Sequence, residues 1–155
     1  MSKKNKKNDP KKAIFEKLKK ANPRELDQYF SEENEDVFSN FDCLSCANCC
    51  KTTGPLFNQA DISRISKYIG MKEGGFVESY LQIDEDEDYV LKKLPCAFLG
   101  EDNRCSIYDV RPKACREYPH THQKRQHEIL KLTKINYSIC PAAEQIVQRV
   151  FSRLQ

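Results

Sequence analysis

Four of the eight cysteines in the chain fall within one short run, Cys43-Leu44-Ser45-Cys46-Ala47-Asn48-Cys49-Cys50. Two residues between thiols is a chelate spacing, because a tight turn brings both sulfurs to one ion, at about 2.3 Å from each if the ion is zinc. The remaining four, Cys96, Cys105, Cys115 and Cys140, are scattered. A metal site started by the run and completed by the scattered thiols accounts for all eight. The adjacent pair Cys49-Cys50 strains that account, since neighbouring side chains point to opposite faces of a strand and lie about 100° apart on a helix. Either one of them serves a second site or lies in the core. Two sites, or one polynuclear site, are therefore both open. Zinc and iron, the latter including an iron–sulfur cluster, accept four thiolates equally well, so ligand type does not choose between them. The run differs from the ferredoxin patterns, although the late Cys140-Pro141 shares their Cys-Pro dipeptide.

Three histidines supply the other candidate donors. His120-Thr121-His122 can present two imidazoles on one side of an extended segment, but with thiols in excess an exposed loop is the simpler reading for these and for His127. Arg111 and Arg116 flank Cys115 and can donate to thiolate sulfur, or pair with Asp109 or Glu117 on the surface. Five consecutive carboxylates, Asp84 to Asp88, suggest calcium, yet the run lacks the glycine and the distant glutamate of an EF-hand loop and reads as an exposed loop.

Compartment decides whether even-numbered cysteines mean disulfides or metal. The start, MSKKNKKNDPKK, has no apolar run behind it, and no segment approaches the about 20 apolar residues that span a bilayer. A cytoplasmic, reducing setting is the expectation, with a metal ion as partner and no membrane. A net charge of +3 over 155 residues gives no strong pull toward nucleic acid. Nine lysines in residues 1–20 face only Asp9 and Glu16, and seven acids in 21–42 face only Arg24. No aromatic residue is interleaved in the first 14 positions, so a solvated tail fits better than a nucleic-acid arm.

Several elements must position the thiols. Asp9-Pro10 caps a helix with Ile14, Phe15 and Leu18 on one face, and Pro23 opens another through Leu26, Tyr29 and Phe30. Asn58 caps a helix with Ile62, Ile65 and Ile69 that stops at Gly70. Gly74-Gly75 interrupts before a short helix carrying Phe76, Val77, Tyr80 and Leu81, and a strand runs from Tyr89 to Leu94. A hairpin turning at Gly100 to Asn103 brings Cys96 near Cys105, and Asp109 caps a helical turn carrying Cys115 that Pro119 ends. Weak alternation over Glu128 to Ile135 suggests a strand. Cys140-Pro141 opens a closing helix with Ile146, Val147, Val150, Phe151 and Leu154, which places Cys140 at the positive end of a helix dipole, where a thiolate is favoured. The fold class is α+β: a small metal-stabilised, cysteine-rich core with short helices, a β-hairpin and a C-terminal helix. Residues 1–40 form a charged N-terminal tail with short helices and 41–155 the cysteine-cluster domain.

The blocks CxxCxxCC at 43–50, PCxFL at 95–99, CxIYxxRPxxCRxYP from Cys105 to Pro119, and Cys140-Pro141 together resemble the YkgJ-like cysteine-cluster family of zinc- or iron-chelating proteins. The resemblance implies chelation by Cys43, Cys46, Cys49, Cys50, Cys96, Cys105, Cys115 and Cys140. Larger relatives resemble flagellin lysine methylases, which opens an alternative as an iron–sulfur or iron-dependent redox or modification enzyme. This chain is shorter and has no glycine-rich nucleotide loop after a strand. A zinc-ribbon-like nucleic-acid module is the lesser alternative.

Overall fold

The computed structural model describes residues 9–41, 46–52 and 54–154, which form two compact units. The first takes the chain up to Phe41 and again from Pro119 onward, and the second is the stretch between.

The first unit is helical. In α1 (Pro10–Lys20), Asp9 accepts from the Lys11 amide at 3.1 Å, proline occupies the first turn where its missing N–H costs nothing, and Ile14, Phe15 and Leu18 are buried. In α2 (Pro23–Asn40), Asn22 caps the Arg24 and Glu25 amides and Leu26, Phe30 and Val37 are buried, as the spacing of the first two implies. The closing helix, Pro141–Arg153, likewise follows its expected stripe, burying Ala142, Ala143, Ile146, Val147 and Val150 along α2. Here α1 packs against both the closing helix and the helix Leu130–Ile139 before it. The strand expected over Glu128 to Ile135 is therefore a helix instead. Leu130, Thr133 and Asn136 recur at threes and are buried, a period that weak two-residue alternation conceals. The polar connection before it is tied down by its own donors: the Arg125 and Gln126 amides both donate to Asp27 at 2.9 Å, and buried Thr121 donates to Asn34 at 2.6 Å.

The second unit begins, among its described residues, with α3 (Asn48–Thr52). Asn58 and Asp61 then form a reciprocal capping box on α4 (Gln59–Ile69), which ends at Gly70 with φ +76°, a left-handed conformation that glycine adopts without the Cβ penalty. Gly74 and Gly75 do not interrupt the chain but lie in the first turn of α5 (Glu73–Tyr80), where the orphan amides make a poor helix former cheapest. The hairpin differs in place from the expectation. It joins β1 (Leu81–Ile83) to β2 (Tyr89–Leu91), antiparallel, with Leu81 opposite Leu91 and Ile83 opposite Tyr89. Its turn is the acidic run itself: the Asp84 carboxylate accepts from the Asp86 and Asp88 amides at 2.9 Å each, closing the loop as an Asx turn does. Strand β2 stops at Leu91 rather than Leu94. Between Cys96 and Cys105 there is a turn and a single bridge, Leu99 to Cys105, not a full hairpin. Phe57, Ile62, Ile65, Phe76, Leu81, Leu91, Phe98 and Ile107 form the apolar core, with Cys96 and Cys105 packed against it.

The α+β class holds, with helices predominating and one two-stranded sheet. No helix among the described residues is long and apolar enough to cross a membrane.

Candidate metal centre

Cys43 lies outside the described residues. Cys46 is half-buried and precedes Ala47, a buried alanine held at φ 51°. Cys49 and Cys50 follow on α3, and the problem of their adjacency is met by a hydrogen bond between them: the Cys49 thiol donates to the Cys50 sulfur. That bond draws the Cys50 thiol down to about 7 against the opposing effect of its burial. The Cys50 carbonyl in turn accepts from the Cys96 amide at 2.8 Å, which stitches α3 to the segment carrying the next thiol.

Cys96 sits where the chain turns before Phe98. Burial pushes its thiol up, the Phe98 and Leu99 amides donate to its sulfur and oppose that rise, and the charges of Cys50 and Cys105 add to it. Cys105 follows the same scheme, with burial raising its thiol, the Ile107 amide donating to its sulfur, and Cys50 adding charge. The bridge between Leu99 and Cys105, and the bond from the Ser106 amide to the Phe98 carbonyl at 2.8 Å, hold these two turns together. Cys115 lies on α6 (Lys113–Glu117). Its thiol is pushed up to about 12, by burial first and then by the charges of Cys50, Cys96 and Cys105.

Four thiols from well-separated positions in the sequence, Cys50, Cys96, Cys105 and Cys115, are thus close enough to sense one another, and among the described residues none of the four is in a disulfide. Two of the sulfurs also receive backbone N–H groups. Such donors stabilise thiolate over thiol, so the donor set fits a soft cation in its chemistry. The sulfurs are grouped without being closed on one point: among the described residues, no three cysteine, histidine or carboxylate side chains stand together as a finished chelate. As thiolates these groups would repel one another, and a cation would be needed to draw them onto one point.

The elements around Cys115 differ from expectation in one respect. Asp109 does not cap the helix; it lies in a 3₁₀ turn, Tyr108–Val110, and Pro112 occupies the cap position. The Lys113 amide donates instead to Asp61 of α4, at 3.1 Å. Asp61 is 1% exposed and also holds Arg64 at 2.8 Å, and Arg64 donates to the carbonyls of Val110 at 3.2 Å and Arg111 at 2.9 Å. This clamp fixes the stretch between Cys105 and Cys115. Sequence reasoning passed over it, although Asn58 with Asp61 three residues later has the spacing of a capping box and marked Asp61 as buried business.

The other candidates fall in the first unit. Cys140 is buried at the N-cap of α8 (Pro141–Arg153), which follows α7 (Leu130–Ile139). His122 and His127 are exposed, as expected of a loop, whereas His120, at φ 66°, is half-buried and faces Gln123 through Nδ1 at 2.7 Å.

The sequence from 42 to 141 matches the model of the family named CxxCxxCC, whose description is "Putative zinc- or iron-chelating domain". The chain belongs to this family. As a member it is a cysteine-rich, metal-chelating domain of the zinc or iron class. An uncharacterised protein of Methanocaldococcus jannaschii is 28% identical over 100 residues, which cover 61% of this chain and 54% of that protein. The chain thus spans about half the length of that relative. No solved structure matches the chain.

Proposed function

We propose that the protein is a metal-binding module whose centre is nucleated by Cys50, Cys96, Cys105 and Cys115, with Cys43, Cys46 and Cys49 as the remaining donors of the same unit. The observation that carries this reading is the grouping of Cys96, Cys105 and Cys115 around Cys50, whose charge opposes ionisation of all three, while backbone amides are aimed at two of the sulfurs. Left unligated, such thiols stay protonated and neutral; a cation is what would favour their thiolate form. When bound, zinc supplies cross-linking of the chain, and iron or an iron–sulfur cluster supplies that together with one-electron chemistry. The chain's own part is to present thiolates from α3, the turn at Cys96, the bridge at Cys105 and α6. Residues 41–155 contain all eight cysteines, and a reducing compartment keeps them available.

Metal analysis of protein purified without added metal, paired with an anaerobic visible spectrum, tests the reading. At least one equivalent of zinc in a colourless sample, or of iron with broad absorption near about 400 nm, is the expected outcome. Well under one equivalent of any metal removes it. Serine variants of Cys50, Cys96, Cys105 and Cys115 should each lose metal, whereas Cys49→Ser keeps a donor for the Cys50 sulfur and should retain it.

A further inference from the structure

The first unit separates its charges by helix pair. Arg149 and Arg153 of α8 are matched by Glu32, Glu33 and Asp36 of α2. Helices α1 and α7, which pack together, are not matched in this way: α1 carries five lysines and α7 two, Lys131 and Lys134, against a single acid, Glu16. Among the described residues no ion pair involves any of the seven. Helix stability does not call for this arrangement. The start of a helix is its positive end and favours acids, as Glu25 provides on α2 and Glu144 on α8. The first turns of α1 and α7 hold no acid and carry Lys11, Lys12 and Lys131 instead. Local contacts fix these charges in place. The Lys11 ammonium donates to the Ser138 hydroxyl and lies 5.7 Å from the centroid of Tyr137, and Lys17 lies over Phe151 at 4.7 Å. Lys131, Lys134 and Ser138 recur at threes and fours along one flank of α7, so the Lys11 contact sets the α7 lysines on the flank that borders α1. Among them stand two uncovered aliphatic side chains, Ile135 at 59% exposure and Leu132 at 40%.

We propose that the α1–α7 face is a docking surface for an anionic phospholipid bilayer. Lysine offers a point charge, which suits mobile phosphate headgroups, whereas reading or stacking on bases calls for arginine or open aromatic rings. Neither helix has an arginine, Phe15 is buried, and Tyr137 is packed between Phe15 and Lys11. Ile135 and Leu132 decide between the two kinds of phosphate surface. An acyl layer buries aliphatic side chains that lie beside cations, and a nucleic-acid backbone offers them nothing. The contact is peripheral, since no described helix is long and apolar enough to cross the bilayer. It is independent of the thiols, which belong to the other unit.

Co-sedimentation of the full chain with vesicles tests the surface, using phosphatidylcholine alone and an equal mixture of phosphatidylcholine and phosphatidylglycerol. Binding is expected to the mixed vesicles only, and added salt should release it. A lysine close to an anionic bilayer strengthens binding about five-fold, so Lys131→Gln with Lys134→Gln is expected to bind about 25-fold more weakly. Lys12→Gln with Lys20→Gln, on α1, should repeat that loss. Ile135→Ser with Leu132→Ser should weaken binding and leave its salt dependence in place. All six positions are exposed, so circular dichroism should show unchanged helix content. Lys67→Gln with Lys72→Gln removes the same charge from exposed sites of the second unit and should leave binding unchanged. No binding to the mixed vesicles, equal binding to phosphatidylcholine alone, or equal loss in the lysine pairs of both units overturns the proposal. Full vesicle binding by the serine pair overturns it too, and retardation of a DNA duplex or RNA hairpin that the α1 and α7 lysine pairs abolish then assigns the face to nucleic acid.

Discussion

The two units of this chain are built by different means. In the first, α1, α2, α7 and α8 are 10 to 18 residues long, and three of them start with proline in the first turn. Their buried residues include Leu18, Leu26, Phe30, Ile146, Val147 and Val150, all fully out of solvent. Such helices nucleate on local signals and are held by ordinary apolar burial. In the second, α3 and α6 have five residues each, too short to persist alone, and bury no side chain. What those short helices carry is sulfur. On the function proposed above, the two short helices would owe their order to a bound metal as well as to the second unit's apolar core, whereas the helices of the first unit rest on burial alone.

Metal removal is the strongest way to break the comparison. A structural zinc contributes roughly 10 kcal/mol or more of folding free energy in small domains, because the unfolded chain has no preformed site. Treatment with a strong chelator is expected to collapse amide protection over α3, the 96–105 turns and α6, and to leave the α2 and α8 amides protected. Hydrogen exchange resolved by peptide measures both at once. Equal loss in both units would mean that the metal stabilises the whole chain rather than one half of it.

Phe30→Ala tests the same contrast from the apolar side. Phe30 is fully buried on α2, and truncation of such a ring costs about 3–5 kcal/mol. That cost should appear in the denaturation of the first unit with metal content unchanged. Metal loss in this variant would show that the centre depends on the first unit's packing.

The contrast also explains what could be read in the sequence. Helices α1, α2, α4 and α8 were legible because caps and apolar periods are local: Asp9-Pro10, Asn22-Pro23, Asn58 with Gly70, and Pro141 each announce an end. Helix α7 was not, because its buried face includes Thr133 and Asn136, polar residues satisfied by the carbonyls of Ile129 and Pro119 rather than by an apolar stripe. The hairpin was misplaced because five acids look like a solvated loop, and only the Asp84 side chain turning back on the Asp86 and Asp88 amides shows that they are its turn. The eight cysteines were candidates by residue type, but nothing in the sequence said which of them lie near one another. The Cys50 carbonyl receives the Cys96 amide at 2.8 Å, a contact between residues 46 apart that no local pattern announces. The Asp61–Arg64 clamp is equally non-local, since it reaches from α4 to the carbonyls of Val110 and Arg111.

Asp61→Ala sharpens the comparison within the second unit. It removes half of the capping box, the acceptor of the Lys113 amide and the partner of Arg64, whose guanidinium is about one-third exposed. With water able to take over part of the Arg64 interaction, the loss should be about 2–3 kcal/mol, the upper range for a cap plus a partly screened ion pair. Chemical denaturation followed in the metal-loaded and chelator-treated states measures it. The metal-loaded form should lose affinity as well, because the stretch between Cys105 and Cys115 then loses the acceptor of its Lys113 amide and the carboxylate that orients Arg64 toward the Val110 and Arg111 carbonyls. A stability loss with unchanged affinity would separate the clamp from the centre.

Acid gives the smallest and most selective test in the first unit. Glu32 on α2 accepts from Gln28 at 2.9 Å and from Arg153 of α8 at 2.6 Å, and these bonds hold its carboxyl below the ordinary glutamate value. A carboxyl depressed in the folded state adds stability that is present above the unfolded value of about 4.3 and is lost as pH falls through the lower folded value. The pair is exposed, so the loss in the first unit as pH falls below the unfolded glutamate value should be slight, and Glu32→Gln should abolish that step alone. In the second unit acid acts through the ligands, because thiolates must be protonated as metal leaves, and release should show as proton uptake with one metal equivalent set free. A titration in which metal release and the Glu32 step occur at one pH, and move together in Glu32→Gln, would make the two units a single cooperative body; separate steps, with release unmoved by the substitution, would keep the helical and the thiol-held regions as independent solutions to stability.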